Sequence, residues 1–307
     1  MIATNWCKGS AAYTANPNGT VVTIGNFDGV HLGHHALLRQ TLRCAADLNA
    51  ATCAFTLDPP PVSVLRPTAF NPRLQTLSEK VATLRALGID EIVVERFDQP
   101  FAELSAEAFA RQILGERLRA RAVVVGWNFR FGKGRQGSVE HLERWLGIPV
   151  HGVEPVLFGD TPVSSSRIRK SIQRGALDDA AALLGRSYAV SGKVEHGSAR
   201  GRTLGFPTAN VDITGRLLPP HGVYAVRATL PNGEHRAGVA NLGARPTFGQ
   251  HSPTLEVHLL DWTGDLYGQH LAVAFGEQLR EERAFDGPDA LQRQIGLDIE
   301  AARAVLR

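Results

Sequence analysis

Two histidines, His31 and His34, flank Leu32-Gly33 in the stretch TIGNFDGVHLGHHALL, Thr23 to Leu38. There a β-branched run passes through a Gly-Asn-Phe-Asp-Gly turn into apolar residues at helical spacing. Imidazoles three positions apart at the start of a helix can point the same way. The helix N-terminus adds free backbone N–H groups and the positive end of its dipole. Gly25, Gly29 and Gly33 allow tight turns and close approach of an anion to the backbone. The chemistry that fits is charge stabilisation on a phosphoryl group in transfer, because donors aimed at developing negative charge act mainly in the transition state. A metal site built from the two histidines and a carboxylate such as Asp28 is the alternative, although further ligands at zinc spacing are missing.

A second set of reactive types lies in GKVEHGSARGRTLGFPTANV, Gly192 to Val211. Thr208 and Asn210 present two oxygen ligands on one side of an extended segment, a hard-donor arrangement suited to Mg²⁺ bridging ATP phosphates. Gly192, Gly197, Gly201 and Gly205 would let the flanking loops close over a nucleotide. Phosphoryl transfer to an alcohol also benefits from a base beside the attacking hydroxyl. The alternating run LEVHLLD places Leu255, Val257 and Leu259 on one face and Glu256, His258 and Leu260 on the other, so the Glu256 carboxylate need not be on the solvated side, although by itself it reads as an exposed strand glutamate. His258 is given none.

One glycine pattern is set aside. Gly132-Lys-Gly134-Arg-Gln-Gly137 satisfies G-x-G-x-x-G and half-resembles a P-loop. A dinucleotide fingerprint must directly follow its strand, and here WNFRF intervenes; the P-loop lysine after the second glycine is also absent. A mobile basic loop near phosphates is the reading that remains.

The elements that position these residues fall into two periods. Up to about residue 186, short β-branched runs (Val21–Ile24, Ala51–Phe55, Ile92–Val94, Ala122–Val125 and Val150–Val156) alternate with helical spacing. The helical positions are Leu37, Leu38, Leu42, Ala45 and Leu48, then Val81, Leu84 and Leu87, then Phe109, Ile113 and Leu118. Such alternation predicts an α/β fold with a doubly wound parallel sheet. Beyond LLGRSYAVSGKV the period becomes two. GVYAVRATLPNGEHRAGV predicts a hairpin about Asn232-Gly233, and TLEVHLLDWTGDLYGQHLAVAF repeats the scheme about Thr263-Gly264-Asp265. Helical spacing returns at Leu291, Ile295, Ile299 and Ala302. The second half is therefore expected to be an antiparallel β-barrel closed by a C-terminal helix, giving domains 1–186 and 187–307.

Length and composition agree with two packed domains. The chain has 307 residues, 43% hydrophobic and 21% charged, with a net charge of +3. The charges are interspersed, which suits phosphate-bearing small molecules and lacks the clustered basic face of a nucleic-acid binder. No apolar run approaches the roughly 18 residues of a membrane span, and the N-terminal stretch has no hydrophobic signal core. Cys7, Cys44 and Cys53 form no CxxC pair and suit a reducing compartment. A cytoplasmic protein acting on small molecules is expected, with oligomeric state left open.

GNFDGVHLGH resembles the signature of the HxGH nucleotidyltransferase superfamily, specifically the adenylyltransferase domain of bacterial bifunctional riboflavin kinase/FAD synthetases. VVVGWNFRFGKGRQG resembles that family's fourth-strand segment, and VSSSRIRKSI its Ser-Ser-Thr-x-Ile-Arg motif. GRTLGFPTAN, VANLGARPTFG and LREERAFDGPDAL resemble its flavokinase domain, in order. The resemblance implies transfer of AMP from ATP to FMN in the first half and phosphorylation of riboflavin by ATP and Mg²⁺ in the second.

On that reading His31 and His34 stabilise the α-phosphoryl transition state, and Gly25, Asn26, Phe27, Asp28, Gly33 and Asn128 bind nucleotide, phosphate or flavin. Ser165, Ser166 and Arg169 clamp the β- and γ-phosphates. In the kinase half Thr208 and Asn210 hold the metal, Glu256 takes the proton of the ribityl 5′-hydroxyl, and Gly192, Gly197, Arg202, Gly205, Phe206, Pro207, Arg280 and Glu282 contact nucleotide or flavin, with Phe285 beside them.

Two departures stand out. The family's Phe-x-Pro-His-Pro is Phe55-Thr-Leu-Asp58-Pro59 here, and Ser166 replaces a usual threonine while keeping the hydroxyl. Asp58 is given no function. The rival readings are an HxGH adenylyltransferase for another phosphorylated acceptor with a flavin-binding barrel, a non-catalytic flavin or nucleotide sensor, and a barrel that binds nucleic acid.

Overall fold

The computed structural model describes residues 6–68, 72–197, 201, 204–247 and 250–306, with the side chains of 245–252 outside the description. The chain forms two compact units, Met1–Ser165 and Ser166–Arg307.

In the first unit the β-branched runs pair into a six-stranded parallel sheet. Its strands are β1 (Cys7–Lys8), β2 (Thr20–Ile24), β3 (Ala51–Asp58), β4 (Glu91–Arg96), β5 (Ala120–Gly126) and β6 (Val150–Val153), in the order β1-β4-β3-β2-β5-β6. Every residue of β2 is buried, as a central strand covered on both faces must be. Val22, Ile24, Val123 and Val125 pack on one side with Phe109, Ile113 and Leu142. Val21, Ala122 and Val124 pack on the other against Cys44 and Ala45 of helix α1 (Leu32–Leu48). The strand order reverses between β2 and β5, so a crevice opens at their carboxyl ends.

Two details differ from the sequence pattern. The edge strand β1 pairs with β4 although NWCKGS carries no alternation, and β6 stops at Val153, short of Val156, just before Pro155, which has no N–H to extend the ladder. The segment Gly132–Gly137 is a pinned turn rather than a loose basic loop. Phe131 and Gly137 bridge to each other, Lys133 Nζ meets Glu103 at 2.5 Å, and a Cβ on Gly132 would lie 2.5 Å from the Ala106 backbone.

After two small strands, β7 (Leu157–Phe158) and β8 (Thr161–Pro162), and the helices Ser165–Gln173 and Leu177–Leu184, the second unit closes a barrel. It consists of β9 (Ala189–Glu195), β10 (Ala209–Val211), β11 (Gly222–Thr229), β12 (His235–Thr247), β13 (Gln250–Leu259) and β14 (His270–Arg280), in the order β10-β13-β12-β11-β14-β9. The hairpin about Asn232-Gly233 forms as the pattern predicts, β11 against β12. The second expected hairpin does not: β13 pairs with β12 and β10, whereas β14 pairs with β11 and β9. Alternation marks a strand but not its neighbour, and the long 260–269 connection carries the chain to the far side of β11. Tyr224, Val226, Ala240, Leu242, Leu255 and Val257 are buried at alternate strand positions. On the opposite face Val223, Ala225 and Val239 pack under Ile299 and Ala302 of the C-terminal helix Pro288–Val305.

Candidate active sites

The histidine turn leaves β2 at the crevice edge. His31 is the N-cap of α1, and the two imidazoles cap the helix reciprocally: the His34 N–H donates to His31 Nδ1 at 3.4 Å and the His31 N–H to His34 Nδ1 at 3.3 Å. The rings stack with centroids 3.7 Å apart. Because each Nδ1 accepts, the proton of each neutral ring sits on Nε2. A Cβ at Gly33 would come within 3.1 Å of the His31 ring, tighter than ordinary contact, so glycine leaves the ring its room.

Phe27 and Val30 hold the turn at φ +47° and +36°, conformations that cost free energy for such residues, and both are fully buried. Burial, with the neighbouring His31, His35 and Lys80 charges behind it, holds the His34 imidazole well below its ordinary value, so it is neutral at pH 7 without an anion nearby.

The surrounding residues tie this turn down. Asp28 Oδ1 accepts the Leu74 N–H at 3.1 Å, and its carbonyl accepts a hydrogen bond from Ser165 Oγ at 2.9 Å. Ser166 and Arg169 follow on the Ser165–Gln173 helix. Gly25 lies against the Phe27 ring, and the Asn26 side chain is exposed. Asn128 is exposed just beyond β5, the strand next to β2, so it shares the crevice edge. Asp58, at the end of β3, pairs with Arg73 at 2.8 Å. Among the described residues no group of three His, Cys, Asp or Glu side chains is gathered that could hold a metal ion.

In the barrel the site is built by register. Asn210 pairs with Glu195 on one side and Glu256 on the other, and Glu256 pairs with Asn241. These four therefore form one row, with Cβ atoms of neighbours about 5 Å apart. The row lies on the face opposite buried Leu255 and Val257, so Glu256 is half-buried on the outer side of the barrel. Thr208 stands just before β10, two residues ahead of Asn210. Gly197 lies so close over the Asn210 amide that a Cβ would overlap it, and a Cβ on Gly201 would come within 3.2 Å of Thr208 Oγ1.

His258, unassigned from sequence, donates from Nδ1 to the Pro207 carbonyl at 2.9 Å and meets the Phe206 ring edge-on, which pins the segment leading to Thr208. Gly205 is exposed at φ +85°. Gly192 stands within β9 rather than in a loop, where any side chain would overlap the Asp212 carbonyl. Glu282 reaches the backbone of Gly243. Arg280 is engaged bidentately by buried Asp298, at 2.9 and 2.8 Å, and stacks over Phe285. Arg202 lies outside the described residues.

Sequence reasoning missed Lys80, Asn241 and Asp298. It also missed a cavity of about 480 Å³ lined by Thr208, Val257, Leu259, Trp262, Leu266 and Tyr267 among others. For Asn241 the available signal was its place in an alternating run, and that says nothing of which residue it faces.

Comparison with known proteins agrees with this division. A family model for FAD synthetase matches residues 13–167 and one for riboflavin kinase matches 184–306. The bifunctional riboflavin kinase/FMN adenylyltransferase of Escherichia coli strain K12 is 38% identical over 292 residues, covering 94% of this chain and 93% of that protein. Its counterpart in Pseudomonas fluorescens is 39% identical over 291 residues, with the same coverage of 94% and 93%. A crystal structure described as a macrolide-efflux protein from Streptococcus pneumoniae superposes with a TM-score of 0.87 at 30% identity, over 97% of this chain and 98% of that one. Among the described residues no helix is long and apolar enough to cross a membrane. By sequence and by fold, the chain belongs to the family of bifunctional riboflavin kinase/FMN adenylyltransferases.

Proposed function

We propose that the two sites divide the family's two reactions: the barrel phosphorylates riboflavin to FMN, and the parallel-sheet unit transfers AMP from ATP to FMN, giving FAD and pyrophosphate. The observation that carries this reading is the stacked His31–His34 pair, whose Nδ1 atoms cap the helix and whose ring protons are thereby set on Nε2, at a helix N-terminus on the crevice edge of the sheet. The FMN phosphate oxygen attacks the α-phosphorus and the bond to the bridging oxygen of pyrophosphate breaks. His31 and His34 hydrogen-bond the charge that develops, with no covalent enzyme intermediate. The helix opened by Ser165, with Ser166 and Arg169, receives the β- and γ-phosphates, and the exposed Asn26 and Asn128 flank the nucleotide or flavin.

In the barrel Glu256 takes the proton of the riboflavin 5′-hydroxyl as its oxygen attacks the γ-phosphorus and ADP departs. Thr208 and Asn210, two residues apart at the start of β10, offer neutral, hard oxygens, a donor set that fits Mg²⁺. When bound there, the ion would spread the charge of the ATP phosphates. The cavity beside Thr208, about 480 Å³ with Trp262 and Tyr267 in its wall, has the size and aromatic lining for the nucleoside end of that ATP. Pro207 is in its wall, and Gly197, Gly205, Phe206 and Arg202 are assigned to nucleotide or flavin by motif. Arg280 and Glu282 set the 281–287 segment toward the flavin. We place the boundary between the catalytic domains at 186/187, and the chain in the cytoplasm on the strength of its three free thiols.

The direct test is incubation of the full chain with riboflavin, ATP and Mg²⁺ and chromatographic separation of the flavins over time. FMN should appear first and FAD after it. Formation of neither would overturn the proposal.

A further inference from the structure

Lys80 belongs to the helix Leu77–Ala86 and is only 6% exposed, with Val81 and Leu84 of the same helix in the adjoining core. A buried ammonium is costly unless it is hydrogen-bonded. Here Nζ donates to the Asn26 carbonyl at 2.9 Å and to Thr56 Oγ1 at 3.1 Å, and Thr56 Oγ1 donates to the same carbonyl at 3.3 Å. Asn26 is where the chain leaves β2 for the strained Phe27–Val30 turn, and Thr56 lies near the end of β3. One side chain thus ties two neighbouring strand ends at the start of the turn that leads to the two histidines. The capping box of Thr76 and Glu79 fixes the helix that carries it.

The charged and titratable groups around the ammonium are Asp28 on the turn, Asp58 at the end of β3, Arg73 before the helix and His34 on α1. Burial, with the Arg73 charge adding to it, lowers Lys80 to about 8 against the pull of Asp28 and Asp58. At neutral pH it is therefore charged, and it loses that charge within an accessible range.

We propose that Lys80 is a positioning residue for adenylyl transfer: its ammonium clamps the Asn26 carbonyl to Thr56 and thereby holds the His31–His34 donors in the geometry the transferring phosphoryl group requires. No substrate atom need touch it. The inference rests on the adenylyl-transfer reading, and its test separates the two.

The experiment compares the full-length wild type with Lys80→Met, assaying FAD formation from supplied FMN and ATP and FMN formation from riboflavin. Methionine keeps the stem and removes the charge. The expected result is a fall of at least about tenfold in kcat for FAD formation, with KM for FMN and the kinase rate each within about twofold of wild type. The wild-type adenylylation rate should also decline as pH rises through about 8, a limb absent from Lys80→Met. Lys80→Gln, which restores a neutral donor, serves as a second variant and should be slowed too. FAD formation at the wild-type rate in both variants, an alkaline limb that persists in Lys80→Met, or loss of both activities together would each overturn the proposal. Failure of the wild type itself to make FAD would instead overturn the adenylyl-transfer reading.

Discussion

On the proposed assignment the two units solve one problem, holding groups against a phosphate chain, by opposite means. In the parallel-sheet unit the donors are local: His31 and His34 are three residues apart, and each caps the other's backbone. In the barrel the groups come from distant segments. Asn210, Glu256 and Asn241 meet only because β10, β13 and β12 pair in one register. A local site depends on one turn and what stands behind it. A registered site depends on the whole barrel, because a one-residue slip would move Glu256 to the other face.

The contrast can be broken most severely at Glu256. Glu256→Ala should lower FMN formation by about 10²–10⁴-fold, the usual worth of a positioned base, while FAD formation from supplied FMN stays at the wild-type rate in the same preparation. Equal loss of both would end the two-site description. Next in size, His34→Ala should slow FAD formation by about 10²–10³-fold and leave riboflavin phosphorylation untouched, read by the same chromatographic assay.

Asp298→Ala sharpens the contrast from the side of stability. It strands the Arg280 guanidinium beneath the C-terminal helix, and breaking such a buried pair costs about 3–5 kcal/mol. Urea titration should show the barrel unit unfolding earlier and kinase activity lost with it, whereas adenylylation at low denaturant should survive.

The smallest effect is on pH. His34 sits below its ordinary value of 6.5 in the folded chain, so between those two values the unfolded chain binds a proton that the folded one refuses. Stability of the first unit should therefore fall as pH drops below about 6.5. His34→Gln should flatten that dependence, as followed by thermal melts at pH 5.5 and 7.5; an unchanged slope would contradict it.

What could be read from the sequence follows the same contrast. The histidine turn was legible because its glycines, its cap and its chemistry lie within ten residues, and the sheet was legible because β-branched runs alternated with helical spacing. Lys80 was not: in Leu-Ser-Glu-Lys it looks like a solvated-face lysine, and only the fold carries its ammonium to Asn26. The face of Glu256 was readable from alternation, but its partner Asn241 was not, because period-two patterning is silent about register. For the same reason β13 and β14 were expected to pair and do not. Asp58, with no assigned role, forms an ion pair with Arg73 that no local pattern announces.

The account's central claim, two independent phosphate-handling centres on one chain, is tested most directly by mixing. Full-length His34→Ala and Glu256→Ala proteins are each given riboflavin, ATP and Mg²⁺, alone and together, and FAD is measured. The account predicts FMN without FAD from the first, neither product from the second, and FAD from the mixture. No FAD from the mixture, with both proteins folded, would contradict it.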